Sequence, residues 1–465
     1  MIDHQARRGP AHTACRAIAL LAAGCAAMAC AAPPGADARP PDPSARPQPP
    51  GRYTLAANGL AAPAAQAPGG TLPQLVALAL SRYPALRAQQ RQREAAQAGV
   101  EGARWQFYPT PVVSLERSAY GSGSAGRHGD EQVLTVGLRQ TLWSGGRLTN
   151  NLDKAGLRVV LAEADLEILR QQIALRVVQH WSEALAAQDT VRAYAQSRAT
   201  HERLLDMVRR RAAEGASPEA DVQLAQSRLD AVAADLDAAR SRRDTALARI
   251  AVLVGQDIPQ GLLALAPAPP LEGDTETLRR QAHAISPQLA RAEVQVRLAQ
   301  LEIEGARAAM MPEVYVRAER QYGNFNQRGA PPENRVLLGV STAFGPGLSN
   351  LSAVDAAGAQ YGAALEDART QRLTLDEQVT TDFTQARSSG QRRIALQAAR
   401  QSAGTVSQSW ERQFLAGRKQ WQDLMNAARE QAQTDAQLAE TIGAEQLTRW
   451  RLRVLTQGVD ALFQP

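Results

Sequence analysis

The chain has 465 residues, of which only 4% are aromatic, and alanine, arginine and glutamine are abundant. This composition favours long helices. The formal net charge is +6, but the basic residues are spread along helical segments and interleaved with acids, so no nucleic-acid partner is predicted. Beyond the N-terminal stretch there is no run of about eighteen apolar residues, so no transmembrane helix is predicted.

Residues 1–31 predict a secretory leader, because arginines precede the apolar run Ala17–Ala23 and small residues follow it. Within this stretch, Leu21–Cys25 resembles a bacterial lipoprotein box, although its leucine lies four residues before the cysteine instead of three. Lipidation of Cys25 and ordinary cleavage near Ala27–Ala29 therefore both stay open.

Residues 32–71 are rich in proline, alanine and glycine and show no hydrophobic period. Such a segment buries too little apolar surface to offset the entropy of ordering, and it predicts a disordered spacer. All three cysteines of the chain lie before this spacer. The sequence therefore predicts neither a disulfide nor a thiolate metal site in the folded body.

The first part of the body predicts a helix followed by two strands. The helical pattern runs from Leu72 to Trp105 and stops at two prolines, because proline cannot continue a helix. Alternating segments at about 112–120 and 132–143 predict strands. The glycine- and serine-rich stretch Gly121–Asp130 is predicted to be the loop between them.

A very long helix is predicted next, over about 148–213. Its apolar residues follow a heptad rhythm, which indicates helices packed side by side as in a coiled coil. At a rise of about 1.5 Å per residue, this helix would be on the order of 100 Å long. Gly215 and Pro218 break it, and Glu219–Leu253 is predicted to return antiparallel. The reversal at about 214–221 is a helical tip.

The rest of the chain predicts the same plan a second time. A helix at about 287–309 leads to strands at about 313–322 and 335–344. A long helix over 348–415, a second tip at about 416–423 and a return helix over 421–455 follow, before a tail at 458–465.

Short motifs also recur at one spacing. Glu101-Gly-Ala-Arg104 followed by Pro109 returns as Glu304-Gly-Ala-Arg307 followed by Pro312, and the turn Gly215–Asp221 returns as Gly417–Asp423. Self-similarity of this kind indicates a duplicated module. We therefore predict two repeats, 72–271 and 272–457, in a mainly α fold with a small β part and long antiparallel coiled-coil helices.

The four predicted strands have lengths that suit a membrane-spanning β-strand. Nine of the twenty aromatic residues fall within 105–143 and 315–344, and aromatic residues flanking strands suggest interfacial girdles. Open strand edges do not persist in lipid. The strands of one chain must therefore close with those of other chains, and three chains would give twelve strands.

These features together resemble the TolC family of outer-membrane efflux and secretion channels. The resemblance covers about residues 72–457 and depends on the strand pair in each half, the segment Leu138–Arg147 and the two Gly-x5-Asp turns. It implies a homotrimer in the bacterial outer membrane, with a twelve-stranded β-barrel in contact with lipid and a twelve-helix periplasmic tunnel. It also implies a periplasmic adaptor protein and an inner-membrane ABC transporter or proton-driven pump as partners.

In that family the two turns lie where the tunnel narrows. Carried over by motif position, the gate comprises Gly215 and Asp221 at one tip and Phe414, Gly417, Lys419, Asp423 and Asn426 at the other. Relatives carry a tyrosine at the position of Phe414 that bonds to the aspartate matching Asp221, and Phe414 has no hydroxyl. Lys419 replaces an arginine and is expected to pair with Asp221 as a point charge.

Other interpretations of these residues stay open. Asp221 and Asp423 each follow a turn, so they could simply cap or stabilise a helix start. In a trimer they would instead supply a ring of six carboxylates, which predicts cation binding at the closed pore. Trp421 beside the second turn could anchor a partner's tip or pack within the helices.

The remaining motifs do not predict chemistry on a substrate. Gly121–Gly126 satisfies G-x-G-x-x-G but leads into a strand, whereas a dinucleotide site needs a helix there. The six histidines show no metal-ligand spacing and are predicted on helix surfaces; they are His4, His12, His128, His180, His201 and His283. The sequence thus predicts no enzyme, no cofactor and no metal site.

The predicted function is a passive outer-membrane conduit of a tripartite export system. The segment Gly417–Glu430 is similar to channels that serve type I protein secretion, so protein cargo is expected. Drug or metal efflux is the alternative, and a non-membrane coiled-coil structural or adaptor protein is the second alternative.

Overall fold

The computed structural model of the chain describes residues 71–118, 129–258, 268–342, 349–416 and 418–463. The chain divides into two units, Met1–Gly59 and Leu60–Pro465, and all of the described residues belong to the second. The predicted leader with Cys25 lies outside these residues, as does the predicted spacer except for its last residue, Thr71, which is the N-cap of the first described helix. Within them, no helix combines the length and the apolar character needed to cross a membrane.

Each half of the chain runs through the same order of elements. The first half comprises α1 (Leu72–Arg82), α2 (Pro84–Trp105), β1 (Thr110–Arg117), β2 (Gln132–Trp143), α3 (Arg147–Ala213) and α4 (Glu219–Val254). The second comprises α5 (Thr275–Ile285), α6 (Pro287–Ala308), β3 (Glu313–Tyr322), β4 (Glu333–Ser341), α7 (Ser349–Leu415) and α8 (Trp421–Gln457), and a 3-10 helix (Val459–Phe463) follows.

Equivalent helices of the two halves have nearly equal lengths. The short helices have 11 residues each and the next pair 22 each. The long helices have 67 residues each, and the return helices have 36 and 37. The duplicated, mainly helical fold predicted from the sequence is therefore confirmed.

The prediction of one unbroken helix over 72–105 is wrong. Tyr83 has an extended conformation, with φ −64° and ψ 121°, because the ring of Pro84 disfavours the helical region for the residue before it. Ser286 before Pro287 behaves in the same way. α5 has no counterpart among the helices predicted from the sequence, and its start is capped where the Asp274 side chain accepts a hydrogen bond from the backbone N–H of Thr277.

The four strands form one antiparallel sheet in the order β1-β2-β3-β4. β1 and β4 each begin two residues before their predicted starts, and the predicted ends Tyr120 and Phe344 lie outside the described residues. The register places Val113 opposite Val136, and Val316 opposite Leu338. Because side chains alternate along a strand, these residues share one face of the sheet.

That face is apolar and exposed, whereas the other face is polar. The exposed apolar residues include Val113, Leu115, Val336, Leu338 and Val340. An exposed apolar surface of this kind marks contact with lipid or with another chain. β1 and β4 pair on one side only among the described strands, so both outer edges of the sheet are open.

The long helices are held by three clusters of buried residues. One surrounds Trp181 of α3, which is fully buried between residues of α1, α4 and α8. A second joins α5 and α6 to α7 and α8, and the third lies at the tips. Three acids also pair with arginines between α7 and α8: the buried Asp382 with Arg451, the buried Glu445 with Arg393, and the partly buried Asp435 with Arg400.

The prediction that the histidines lie on helix surfaces is wrong for His201, which is only 1% exposed. Its Nδ1–H donates to the carbonyl of Ser197 at 2.9 Å. Burial penalises the charged imidazolium, so the pKa of His201 is lowered from its ordinary value.

Candidate functional site: the two helical tips

The first tip joins α3 to α4 through a turn at Gly215. Gly215 has a φ of +71°, a left-handed conformation that glycine adopts without strain. The N–H of Ala216 donates to the carbonyl of Arg211 at 2.8 Å, which is the bond that ends a helix in the Schellman motif. Pro218 then precedes Glu219, the first residue of α4, so the chain reverses within a few residues.

The second tip has the same backbone hydrogen bonding. The N–H of Arg418 donates to the carbonyl of Gln413 at 2.8 Å, and these residues match Ala216 and Arg211 in the repeat. Gly417, the predicted counterpart of Gly215, lies outside the described residues. The duplication therefore extends to the local geometry of the two tips.

Asp221 and Asp423 occupy the same position in the first turns of α4 and α8. Neither helix has a side-chain capping bond at its N-cap residue, Pro218 in one case and Gln420 in the other. A carboxylate in the first turn still gains from the helix dipole. The two aspartates can therefore stabilise the starts of their helices electrostatically, although neither helix start has a side-chain capping bond.

The carboxylate of Asp221 accepts hydrogen bonds from side chains of both tips. Ser217 donates its hydroxyl to Asp221 Oδ2 at 2.7 Å, within the first tip. The amide Nε2 of Gln422, at the start of α8, lies at 3.5 Å from Asp221 Oδ1. Gln422 was missed in the sequence analysis, because its partner lies in the other repeat and no local pattern connects them.

Lys419 contacts the acid of its own tip. Its Nζ lies 3.4 Å from Asp423 Oδ2 and 4.3 Å from the centre of the Trp410 ring. Within one chain the lysine therefore pairs with Asp423 and stacks on an aromatic face. The expected pair with Asp221 is not among the contacts of the described chain, and a pair between copies stays a prediction.

Phe414 is a core residue of the tips. It is 5% exposed, and the guanidinium carbon of Arg211 lies 5.2 Å from its ring centre. Its cluster also contains Leu204, Leu205, Val208, Ala225, Trp421, Leu424, Met425 and Ala428. Trp421 is therefore buried, and of its two interpretations the structure supports packing within the helices.

Asn426 is exposed, while Asp423 is half-buried. Three residues apart on a helix, the two side chains lie on one face of α8. Among the residues that the structure describes, no group of three or more His, Cys, Asp or Glu side chains could hold a metal ion. What the tips offer is a set of carboxylate and amide groups beside an apolar cluster that holds both hairpins together.

Two long helical hairpins, each attached to two strands of a sheet with an apolar outer face, define the class of an outer-membrane channel subunit. The model of the outer membrane efflux protein family matches residues 75–256 and 278–457. The chain belongs to this family, and it is located in the bacterial outer membrane with a long periplasmic helical extension. The alternative of a non-membrane coiled-coil protein is thereby wrong.

Solved structures with the same fold are distant in sequence. The outer-membrane channel OprN is 20% identical with a TM-score of 0.71, over 84% of this chain and 90% of that one. The outer membrane protein VceC from Vibrio cholerae is 15% identical with a TM-score of 0.71, over 83% and 96%. The CmeC outer membrane channel from Campylobacter jejuni is 14% identical with a TM-score of 0.70, over 83% and 85%. None of the curated proteins compared with the chain matches it.

Proposed function

We propose that three copies of this chain form a passive conduit through the outer membrane, which receives cargo from a periplasmic adaptor and an inner-membrane ABC transporter or proton-driven pump. The observation that carries this proposal is the sheet, which combines an exposed apolar face with two open edges. Lipid tolerates strands only when every edge is paired. Closure between copies satisfies that requirement, and three copies supply twelve strands.

Assembly is tested on the purified full-length protein. The expected result is a heat-resistant trimer in outer-membrane fractions that conducts ions in planar bilayers. A monomer without sheet content by circular dichroism would contradict the proposal.

The tips are proposed to be the gate. In a closed trimer Gly215 and Gly417 would shape the turns, and Asp221, Asp423 and Asn426 would line the narrowest passage, with Lys419 beside them. Carboxylates gathered around one axis attract cations. Phe414 would hold the two hairpins of one chain together, since it is buried between them.

Cation block of the bilayer conductance tests the gate. We expect block in the parent channel and weaker block in Asp221→Ala and Asp423→Ala. Glu219→Ala is the matched control, because Glu219 lies two residues from Asp221 on the same helix and therefore faces elsewhere. Unchanged block in both aspartate variants would refute a carboxylate ring.

Gln422 is proposed to replace the missing tyrosine contact of the closed state. It reaches Asp221 from the other tip, where Phe414 has no hydroxyl to offer. Gln422→Ala is therefore expected to raise the frequency of channel opening in bilayers. Gln420→Ala, two residues earlier in the same turn, serves as its control, and equal behaviour of the two variants would contradict this role.

Protein cargo of the type I secretion class remains our proposal, and it is supported by the resemblance of Gly417–Glu430 to channels of that class. Small-molecule efflux is the second candidate, because the matching family is described as efflux proteins. A deletion strain separates them. Loss of a large protein from the culture medium supports secretion, whereas increased sensitivity to toxic compounds or metals with an unchanged set of exported proteins supports efflux.

A further inference from the structure

Two of the glutamates on the polar face of the sheet, Glu319 and Glu313, are each held between two arginines. Glu319 of β3 lies with its carboxylate oxygens 3.0 Å from Arg317 Nε and 3.5 Å from Arg335 Nε. The register places Arg335 directly opposite Glu319 on the neighbouring strand, where charged pairs interact across a sheet.

Glu313, at the start of β3, repeats this arrangement at the end of the sheet nearest the helices. Its carboxylate oxygens lie 3.2 Å from Arg139 Nη2 and 2.9 Å from Arg147 Nη2. The guanidinium of Arg139 also lies 4.0 Å from the centre of the Tyr315 ring. Tyr315 in turn covers Gly339, where an added Cβ would stand 2.5 Å from the ring, so the group is tightly packed.

The glutamate of such a group is more deeply buried than its two arginines. The side chain of Glu319 is only 7% exposed, while those of Arg317 and Arg335 are 43% and 37% exposed. Glu319 is sheltered because it lies against Gly137, where an added Cβ would stand 2.9 Å from the Glu319 Cβ. Each glutamate neutralises one of its two arginines, so each group presents a surplus positive charge to solvent.

These arginines form a band across the face opposite to the apolar one. Arg139, Arg317 and Arg335 occupy alternate strand positions to Leu138, Val316 and Val336, which puts them on the polar side. Two further acids of this side, Glu116 and Glu333, lie at the other end of the sheet, closer to the connections between β1 and β2 and between β3 and β4. Along the polar face the charge therefore changes from acidic near these connections to basic at the band.

We propose that this band is an anion-binding and anion-selecting ring inside the barrel, which favours solutes that carry phosphate, sulfate or carboxylate groups. The inference rests on the proposed function, because the polar face lines a lumen only in the closed assembly. Rings of charged side chains set the ion preference of pores, and the guanidinium fork matches the geometry of oxyanions. Three copies would bring nine strand arginines to the polar face, namely Arg139, Arg317 and Arg335 of each chain.

The test uses the full-length channel in planar bilayers. Inorganic triphosphate is added on the side of the membrane that faces the connections between β1 and β2 and between β3 and β4. Block by triphosphate is expected in the parent channel. In Arg317→Gln/Arg335→Gln it should weaken at least about tenfold, which corresponds to losing one charge-assisted contact. The reversal potential in a KCl gradient should shift towards cation preference in the same variant.

Arg320→Gln is the matched control. Arg320 lies on the same strand as Arg317 but on the apolar side, with its guanidinium carbon 5.3 Å from the ring centre of Tyr322. A second variant, Glu319→Gln, removes the sheltered negative charge and is expected to move both measurements in the opposite direction, towards stronger block and greater anion preference.

The outcomes separate the two proposals. If the parent protein forms no conducting pore, the proposed function fails and the anion ring fails with it. If the pore conducts but Arg317→Gln/Arg335→Gln leaves both measurements unchanged, or Arg320→Gln alters them equally, the anion ring alone is overturned. Opposite shifts in the arginine and glutamate variants support it.

Discussion

Gly443 of α8 lies directly against Ala186 of α3: a Cβ added to Gly443 would stand 2.7 Å from the Ala186 Cβ and 3.1 Å from the Ser182 carbonyl oxygen. Real Cβ atoms do not approach so closely, so the two helix backbones depend on the missing side chain. This contact joins the long helix of the first repeat to the return helix of the second. It therefore limits how large a residue this position of the interface between α3 and α8 can hold.

Gly443→Ala is expected to destabilise the protein by about 1–3 kcal/mol, the usual cost of overpacking a tight interior. The matched substitution Gly358→Ala in α7 meets no atom within 4 Å. It should be neutral or stabilising, by up to about 1 kcal/mol of helix propensity. Thermal unfolding of the two variants side by side checks this, and an equal response at both sites would contradict the close packing.

The tip cluster gives a second prediction. Phe414→Ala removes a ring that is 5% exposed among residues of both hairpins, and large-to-small changes at such sites cost about 3–5 kcal/mol. We expect the tips to separate more readily, which bilayer recordings should show as longer open times. Leu224→Ala is the control, since Leu224 is 42% exposed on α4 and its truncation should leave the open time unchanged.

Local sequence patterns predicted the elements well and their long-range partners poorly. The heptad rhythm and the glycine–proline breaks placed α3 and α7 to within a few residues, because these signals act over one or two turns. The alternation in β2 and β3 likewise predicted strands. The break at Tyr83 was missed although Pro84 was visible, since a helix interrupted at one residue still keeps its hydrophobic period on both sides.

The contacts that define the candidate sites join distant segments. Gln422 reaches Asp221, and Arg139 reaches Glu313, across 201 and 174 residues of sequence. No single-helix or single-strand pattern specifies such a pair, because it depends on sheet register and on the packing of the two repeats. The duplicated turn predicted that Asp221 and Asp423 occupy equivalent positions, but not which groups would contact them.

His201 predicts a pH dependence of stability. Burial lowers its pKa from the ordinary 6.5, and this outweighs the opposing hydrogen bond to the Ser197 carbonyl. In the unfolded chain the imidazole gains its proton near the ordinary value, whereas the folded chain resists protonation. Stability should therefore fall as the pH is lowered through about 6.5 and should level off below the folded pKa.

Denaturant unfolding between pH 7.5 and 5, a range chosen to bracket the usual histidine pKa of about 6.5, checks the role of His201. His201→Asn keeps an N–H at the position of Nδ1 that can donate to Ser197 and removes the ionisation, so its unfolding free energy should change less over this range than that of the parent. If the variant shows the same slope as the parent, other groups cause the pH dependence.

The pair between the buried Asp382 and the partly exposed Arg451 predicts non-additive effects. Burial raises the pKa of the Asp382 carboxyl, and the Arg451 guanidinium, 3.1 Å from Oδ1, opposes that rise. Arg451→Met leaves the carboxylate buried without this partner, at an expected cost of about 3–5 kcal/mol at neutral pH. In the double variant Asp382→Leu/Arg451→Met both charges are gone, and stability should return close to that of the parent.

The pH dependence of Arg451→Met provides an independent check of the same pair. Without the guanidinium, the raised pKa of Asp382 rises further, so its carboxyl takes up a proton at a pH where the unfolded chain is still ionised. The destabilisation of Arg451→Met should therefore shrink as the pH is lowered, while the double variant should not show this recovery. Unfolding curves of the parent and both variants at neutral and mildly acidic pH measure this, and a double variant as unstable as the single one would show that helix packing, not the isolated charge, causes the loss.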